Sequence, residues 1–143
     1  MTKPTPLPSV EVAIDIPFHD VDSANVAWHG HYAKYLEVAR CALLDKIGYN
    51  YVQMSESGYF WPVIDMRLRY IGPAVFQQKI RVTATLVEWE NRLRIDYLIS
   101  DVETGKRLTK GVTIQVAVKR DSGEMQLASP PVLLEKLGIE VGS

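Results

Sequence analysis

HYAKYLEVARCALLDKIG, residues 31–48, decides the fold. Tyr32, Tyr35, Leu36, Ala39, Leu43 and Ile47 recur at helical spacing, and Gly48 supplies a C-terminal stop. Val38, Ala42 and Leu44 widen the apolar stripe until little polar face remains. A helix that is apolar on most sides is expected to be wrapped by other elements, not laid on a surface.

Upstream, Val10, Val12, Ile14, Ile16 and Phe18 alternate with Glu11, Ala13, Asp15 and Pro17, the period of a half-buried strand. Pro17 lacks a backbone donor, so this strand is expected at an edge or to end there. Downstream, four alternating runs follow: Met66, Leu68 and Tyr70; Ile80 to Leu86; Leu93 to Ile99; and Val112, Ile114, Val116 and Val118. Gly72-Pro73, Glu90-Asn91, Thr104-Gly105 and Ser122-Gly123 supply the turns. Short connections predict that these four strands are sequential neighbours in a meander. A short helix, Val132 to Leu137, is expected after Pro130-Pro131. The order predicts a two-layer α+β domain, a long buried helix wrapped by a five-stranded antiparallel sheet. Residues 1–8, with three prolines, are expected to be a flexible lead-in, and residues 9–143 one domain.

Composition narrows the function. A net charge of −1 argues against general nucleic-acid affinity, which needs many phosphate-neutralising cations. Cys41 is the only cysteine, so no internal disulfide can form and a reducing compartment is expected. With no apolar run long enough for a signal peptide or a membrane span, the expectation is a cytoplasmic protein with no membrane partner.

The chemistry-bearing residues crowd into FHDVDSANVAWHGHYAKYLEVAR, residues 18–40, which holds two aspartates and all three histidines. A carboxylate beside the outward-pointing amides of a helix start is half of an acyl-transfer site. It can attack an activated acyl group or orient a water, and a thioester suits such equipment because a thiolate leaves without a strong general acid. The same residues also serve as ordinary turn and cap groups, and chemistry alone does not choose Asp22 over Asp20. A metal reading uses His19, Asp20, Asp22, His29 and His31, but a spacing of two between His29 and His31 does not place both rings on one helical face.

In Phe18, Asp20-Val21-Asp22, Ser23-Ala24-Asn25, Val26-Ala27-Trp28, Tyr32 and Tyr35 to Arg40, the chain resembles the hotdog-fold thioesterases of the 4-hydroxybenzoyl-CoA thioesterase type, including their YbgC-like acyl-CoA members. The resemblance implies a hotdog fold and hydrolysis of an acyl-CoA or acyl-carrier-protein thioester. It implies that Asp22 is the nucleophile or general base and that the backbone amides of His29 and Gly30 hold the oxyanion. Asn25 stands where relatives usually carry glycine, and is a candidate turn, cap or substrate contact. His31 and Tyr32 are expected to line the pocket, and Trp61 to face the acyl group across a dimer interface. Arg92 alone keeps the positive charge of a corner that is basic in a relative, and Arg67, Arg69, Lys79 and Arg81 are alternative cations for a ligand phosphate, though strand arginines are more often solvated surface. Glu37 is expected to pair with Arg40 or with backbone. The resemblance further implies a homodimer, up to a homotetramer, and no metal or cofactor apart from CoA as part of the substrate. The alternatives are a non-catalytic acyl-thioester binder and a hotdog dehydratase with His29 or His31 as its base.

Overall fold

The computed structural model describes residues 7–16 and 31–139. Strand β1 (Ser9–Asp15) precedes helix α1 (Tyr32–Lys46), the short helix α2 (Tyr51–Glu56), β2 (Tyr59–Phe60) and β3 (Val63–Tyr70). Strands β4 (Lys79–Glu88), β5 (Leu93–Asp101), β6 (Arg107–Gln115) and β7 (Val118–Lys119) follow, and helix α3 (Pro131–Lys136) closes the described chain. Five strands form one antiparallel sheet in the order β1-β4-β5-β6-β3, while β2 and β7 pair separately.

Helix α1 lies across the inner face of this sheet, against β1 and β4. Tyr32, Tyr35, Leu36, Ala39, Leu43 and Leu44 are buried there. Its 15 residues give a length of about 22 Å. The helix is not covered all round: Lys34, Glu37, Val38, Asp45 and Lys46 keep an exposed strip, and Val38 is 43% exposed. Helix α2 was not legible in the apolar pattern and begins with a capping box. The Asn50 side chain accepts from the Gln53 amide at 3.0 Å and the Gln53 side chain from the Asn50 amide at 2.8 Å.

Three expectations need correction. The strand at residues 63–70 does not sit beside β4, because it pairs with β6 at the far edge. The segment from Ile71 to Gln78 carries the chain across the end of the sheet, tied at one side by the Leu108 carbonyl and at the other by Ile16. With its backbone groups met at both ends, this crossing costs little, and the four strands are not a meander. Second, the residues of β6 that face α1 are Thr109, Gly111, Thr113 and Gln115, all buried, while Val112 and Ile114 lie on the outer face beside Arg67 and Arg94. Third, the first strand ends at Asp15, and Phe18 lies outside the described residues.

Gly111 explains why the inner face can carry small and polar groups. A side-chain carbon there would stand 3.0 Å from Leu36 Cδ1 and 3.3 Å from Leu68 Cδ2. Gly111 therefore sets how deeply α1 sinks into the sheet. Gly111→Val should lower stability by about 1–3 kcal/mol through overpacking, read as a lower urea midpoint. An unchanged midpoint contradicts this close approach.

Candidate active site

Among the described residues, the start of α1 holds the expected site residues His31 and Tyr32. His31 occupies the N-cap position and makes no side-chain cap hydrogen bond. Tyr32 is buried, and its hydroxyl accepts from the Ala74 amide at 3.1 Å. Its polar end is thereby engaged with the backbone of the β3–β4 crossing, and its ring forms a cluster with Tyr35 at 5.9 Å and Tyr70 at 5.1 Å. Asp22, Asn25, His29 and Gly30, with Asp20 and His19, lie outside the described residues.

Trp61 is at the other end of β3. It is buried, donates from Nε1 to the Tyr49 hydroxyl at 3.3 Å and meets the Tyr49 ring edge-on at 6.2 Å. Its carbonyl accepts from Gln115 Nε2 at 2.8 Å. The eight residues of β3 run from beside Gln115 to beside Thr109, so the two strand ends lie roughly 25 Å apart. Within one chain, Trp61 and Tyr32 are therefore not brought together. Trp61 instead lines a cleft of about 500 Å³ with Tyr51, Met54, Tyr59 and Phe60, at whose rim Arg120 bonds the Ser55 hydroxyl. Arg92 projects from the β4–β5 corner, where its Nε reaches both Glu88 carboxylate oxygens at 3.1 Å.

A buried polar group escaped the sequence reading. Arg40 is only 6% exposed and turns toward the sheet, away from the exposed Glu37. Its Nε donates to the Tyr51 hydroxyl at 2.9 Å, and its buried Nη1 has no hydrogen-bond partner among the described residues. Burial alone opposes the guanidinium charge, but the Tyr51 and Tyr97 hydroxyls outweigh it and hold the Arg40 pKa above its ordinary value. Burial likewise pushes the Tyr97 hydroxyl up, against a 2.8 Å bond to Thr113 Oγ1 and the charge of Arg40. The signal was present in the spacing: position 40 falls on the same stripe as Leu36 and Leu44, four residues away on either side.

Arg40→Ala should cost about 2–4 kcal/mol, from the lost packing and the buried hydroxyls it leaves behind, whereas Glu37→Gln should stay within about 0.5 kcal/mol. Equal losses in thermal or urea unfolding would restore the expected Glu37–Arg40 pair.

Comparison with known proteins agrees with this architecture. The family model for the thioesterase-like superfamily matches residues 16–137. A Synechocystis protein with a provisional esterase assignment is 30% identical over 134 residues, which cover 89% of this chain and 77% of that one. A Bacillus subtilis protein provisionally assigned as an acyl-CoA thioesterase is 28% identical over 76 residues, covering 53% of this chain and 52% of that one. Among solved structures, a DHNA-CoA thioesterase from Staphylococcus aureus superposes with a TM-score of 0.75 at 27% identity, covering 82% of this chain and 78% of the other. With a five-stranded antiparallel sheet around one buried helix and a family match over most of its length, the chain belongs to the thioesterase-like superfamily and is a hotdog-fold thioester hydrolase.

Proposed function

We propose that the protein hydrolyses the thioester of an acyl-CoA or acyl-carrier protein, giving a free acid and a thiol, with Asp22 as the reacting carboxylate. The observation that carries this reading is the start of α1. Its first turn is fixed by the buried Tyr32, whose hydroxyl accepts from the Ala74 amide. Amides at a helix start can stabilise the negative charge that develops on the carbonyl oxygen, and we give this role to the amides of His29 and Gly30, which lie outside the described residues. Asp22 either attacks the carbonyl carbon, expelling the thiolate and leaving an anhydride for water to cleave, or takes a proton from the attacking water. Asn25, His31 and Tyr32 border the acyl group.

The site is completed by a second copy. Strand β3 is an edge, and Val63, Ile64, Met66 and Tyr70 on it are exposed. Such an edge invites antiparallel pairing with the same strand of another chain. Antiparallel pairing sets the beginning of one β3 beside the end of the other. The second copy's Trp61 then approaches the first copy's Tyr70 and Tyr32, uniting residues that one chain keeps apart. Two such dimers would form the tetramer.

Free-thiol release from aryl, short, medium and long acyl-CoAs tests the reaction. Asp22→Asn should lower kcat by at least about a hundredfold, the scale of losing a positioned acid–base group. Full activity in that variant removes Asp22 from the site. Enoyl thioester without free thiol in the wild type would make the protein a dehydratase.

A further inference from the structure

The ion pairs on the outer face of the sheet leave several cations without a carboxylate partner, and two of these are direct neighbours. Arg67 is paired with Asp65 at 3.2 Å, Arg81 with Glu11 at 3.6 Å, Arg92 with Glu88 at 3.1 Å and Arg94 with Asp96 at 3.1 Å. Among the described residues, Arg69 and Lys110 have no carboxylate partner. They are direct cross-strand partners on β3 and β6, so two positive side chains stand side by side on one face. Like charges opposite each other destabilise a sheet unless an anion lies between them. Both border a recess of about 230 Å³ whose sole lining acid, Asp96, is already held by Arg94.

The position of this pair matters as much as its charge. Arg69 directly precedes Tyr70, whose ring contacts Tyr32 at the start of α1. Tyr70 and Ile71 are about half exposed, at 48% and 51%, and form an apolar step at the end of β3. Lys106 and Arg107, both exposed, stand at the adjoining end of β6, and the Lys106 stem lies against Gly72. From the helix start outward, the surface therefore offers an aromatic cluster, an apolar step at the strand end and then a group of cations. An acyl thioester of coenzyme A presents its parts in the same order: acyl group, thioester, pantetheine arm, phosphates.

We propose that Arg69 and Lys110, with Lys106 and Arg107 beside them, anchor the phosphate groups of a coenzyme A thioester. This rests on the thioester-hydrolase reading and adds the carrier's binding site to it. Several clustered cations suit the diphosphate and ribose phosphate of CoA better than the single phosphodiester of a carrier protein. The arm rounds the strand end at Ile71 and Gly72, leaving the lateral edge of β3 open for a second copy. Arg92, the cation that the family resemblance singled out, has its Nε bonded to Glu88 at the β4–β5 corner.

Two measurements separate the anchor from the reaction. Calorimetric binding of free CoA to the full chain should weaken at least about tenfold in Arg69→Gln/Lys110→Gln, the scale of losing charge-assisted bonds. Lys79→Gln/Arg81→Gln, which removes the same charge from β4, should shift the Kd far less. Equal Kd values for wild type and the first variant, or an equal fall in both variants, overturn the anchor. In the hydrolysis assay, the ratio of kcat/KM for an acyl-CoA to that for the same acyl-pantetheine should fall at least about tenfold in Arg69→Gln/Lys110→Gln. An unchanged ratio also overturns the anchor. A wild type that binds CoA through these residues but releases no thiol overturns the hydrolase reading alone.

Discussion

Leu36 occupies space that a side chain on Gly111 would need, and much of the molecule depends on this contact between α1 and β6. It allows the helix to sit close against the inner face of the sheet. Once there, the helix buries two leucine-rich turns and both tyrosines of its first turn. The inner residues of β4 and β5, Ile80 to Leu86 and Leu93 to Ile99, close over it with almost no exposed surface. The same docking fixes where the helix begins, because the Tyr32 hydroxyl is held by the Ala74 amide on the crossing between β3 and β4. A helix start placed by packing and by a backbone hydrogen bond is a rigid support for chemistry that needs its amides aimed at one point.

The close fit also has a cost. Arg40 is carried into the interior with its charge, and Tyr51, Tyr97 and Thr113 form the polar surroundings it requires. Thr109, Thr113 and Gln115 add further buried polar groups to the strand that an apolar helix faces. An all-hydrocarbon core would be simpler to pack. The polar row means that α1 has a preferred rotation and depth, since a shift would strip buried hydroxyls and a guanidinium of their partners.

Much of this was legible in the chain. Alternation in β4 and β5 marked the inward residues correctly because both strands lie in the middle of the sheet and present one uniformly apolar face. The same reasoning failed in β6, where Val112 and Ile114 carry the apolar alternation yet face outward. Arginine stems cover them there, while Gly111 and its polar neighbours meet the helix. Strand order failed for β3 because adjacency was inferred from connection length, and nothing local reveals that residues 71–78 cross the sheet end. Helix α2 and the β2–β7 pair are too short to show a period. In the candidate site, composition and spacing pointed to residues 18–40 without separating Asp20 from Asp22, and family resemblance made that choice. Arg69 was one of four strand cations open to a ligand phosphate in the sequence, and only the sheet register sets Lys110 beside it.

The proposed site joins Tyr32 and Trp61, yet within one chain β3 holds them at opposite ends. The proposed pairing of two β3 edges would bring them together, so assembly and activity should be lost together. The most direct test is Ile64→Lys, placing a charge on the open edge at a residue 56% exposed in the single chain. Sedimentation and thiol release would be measured on the same sample, with circular dichroism confirming the fold. A folded monomer without thioesterase activity is the predicted result. A folded monomer with full activity would contradict a site shared between two copies.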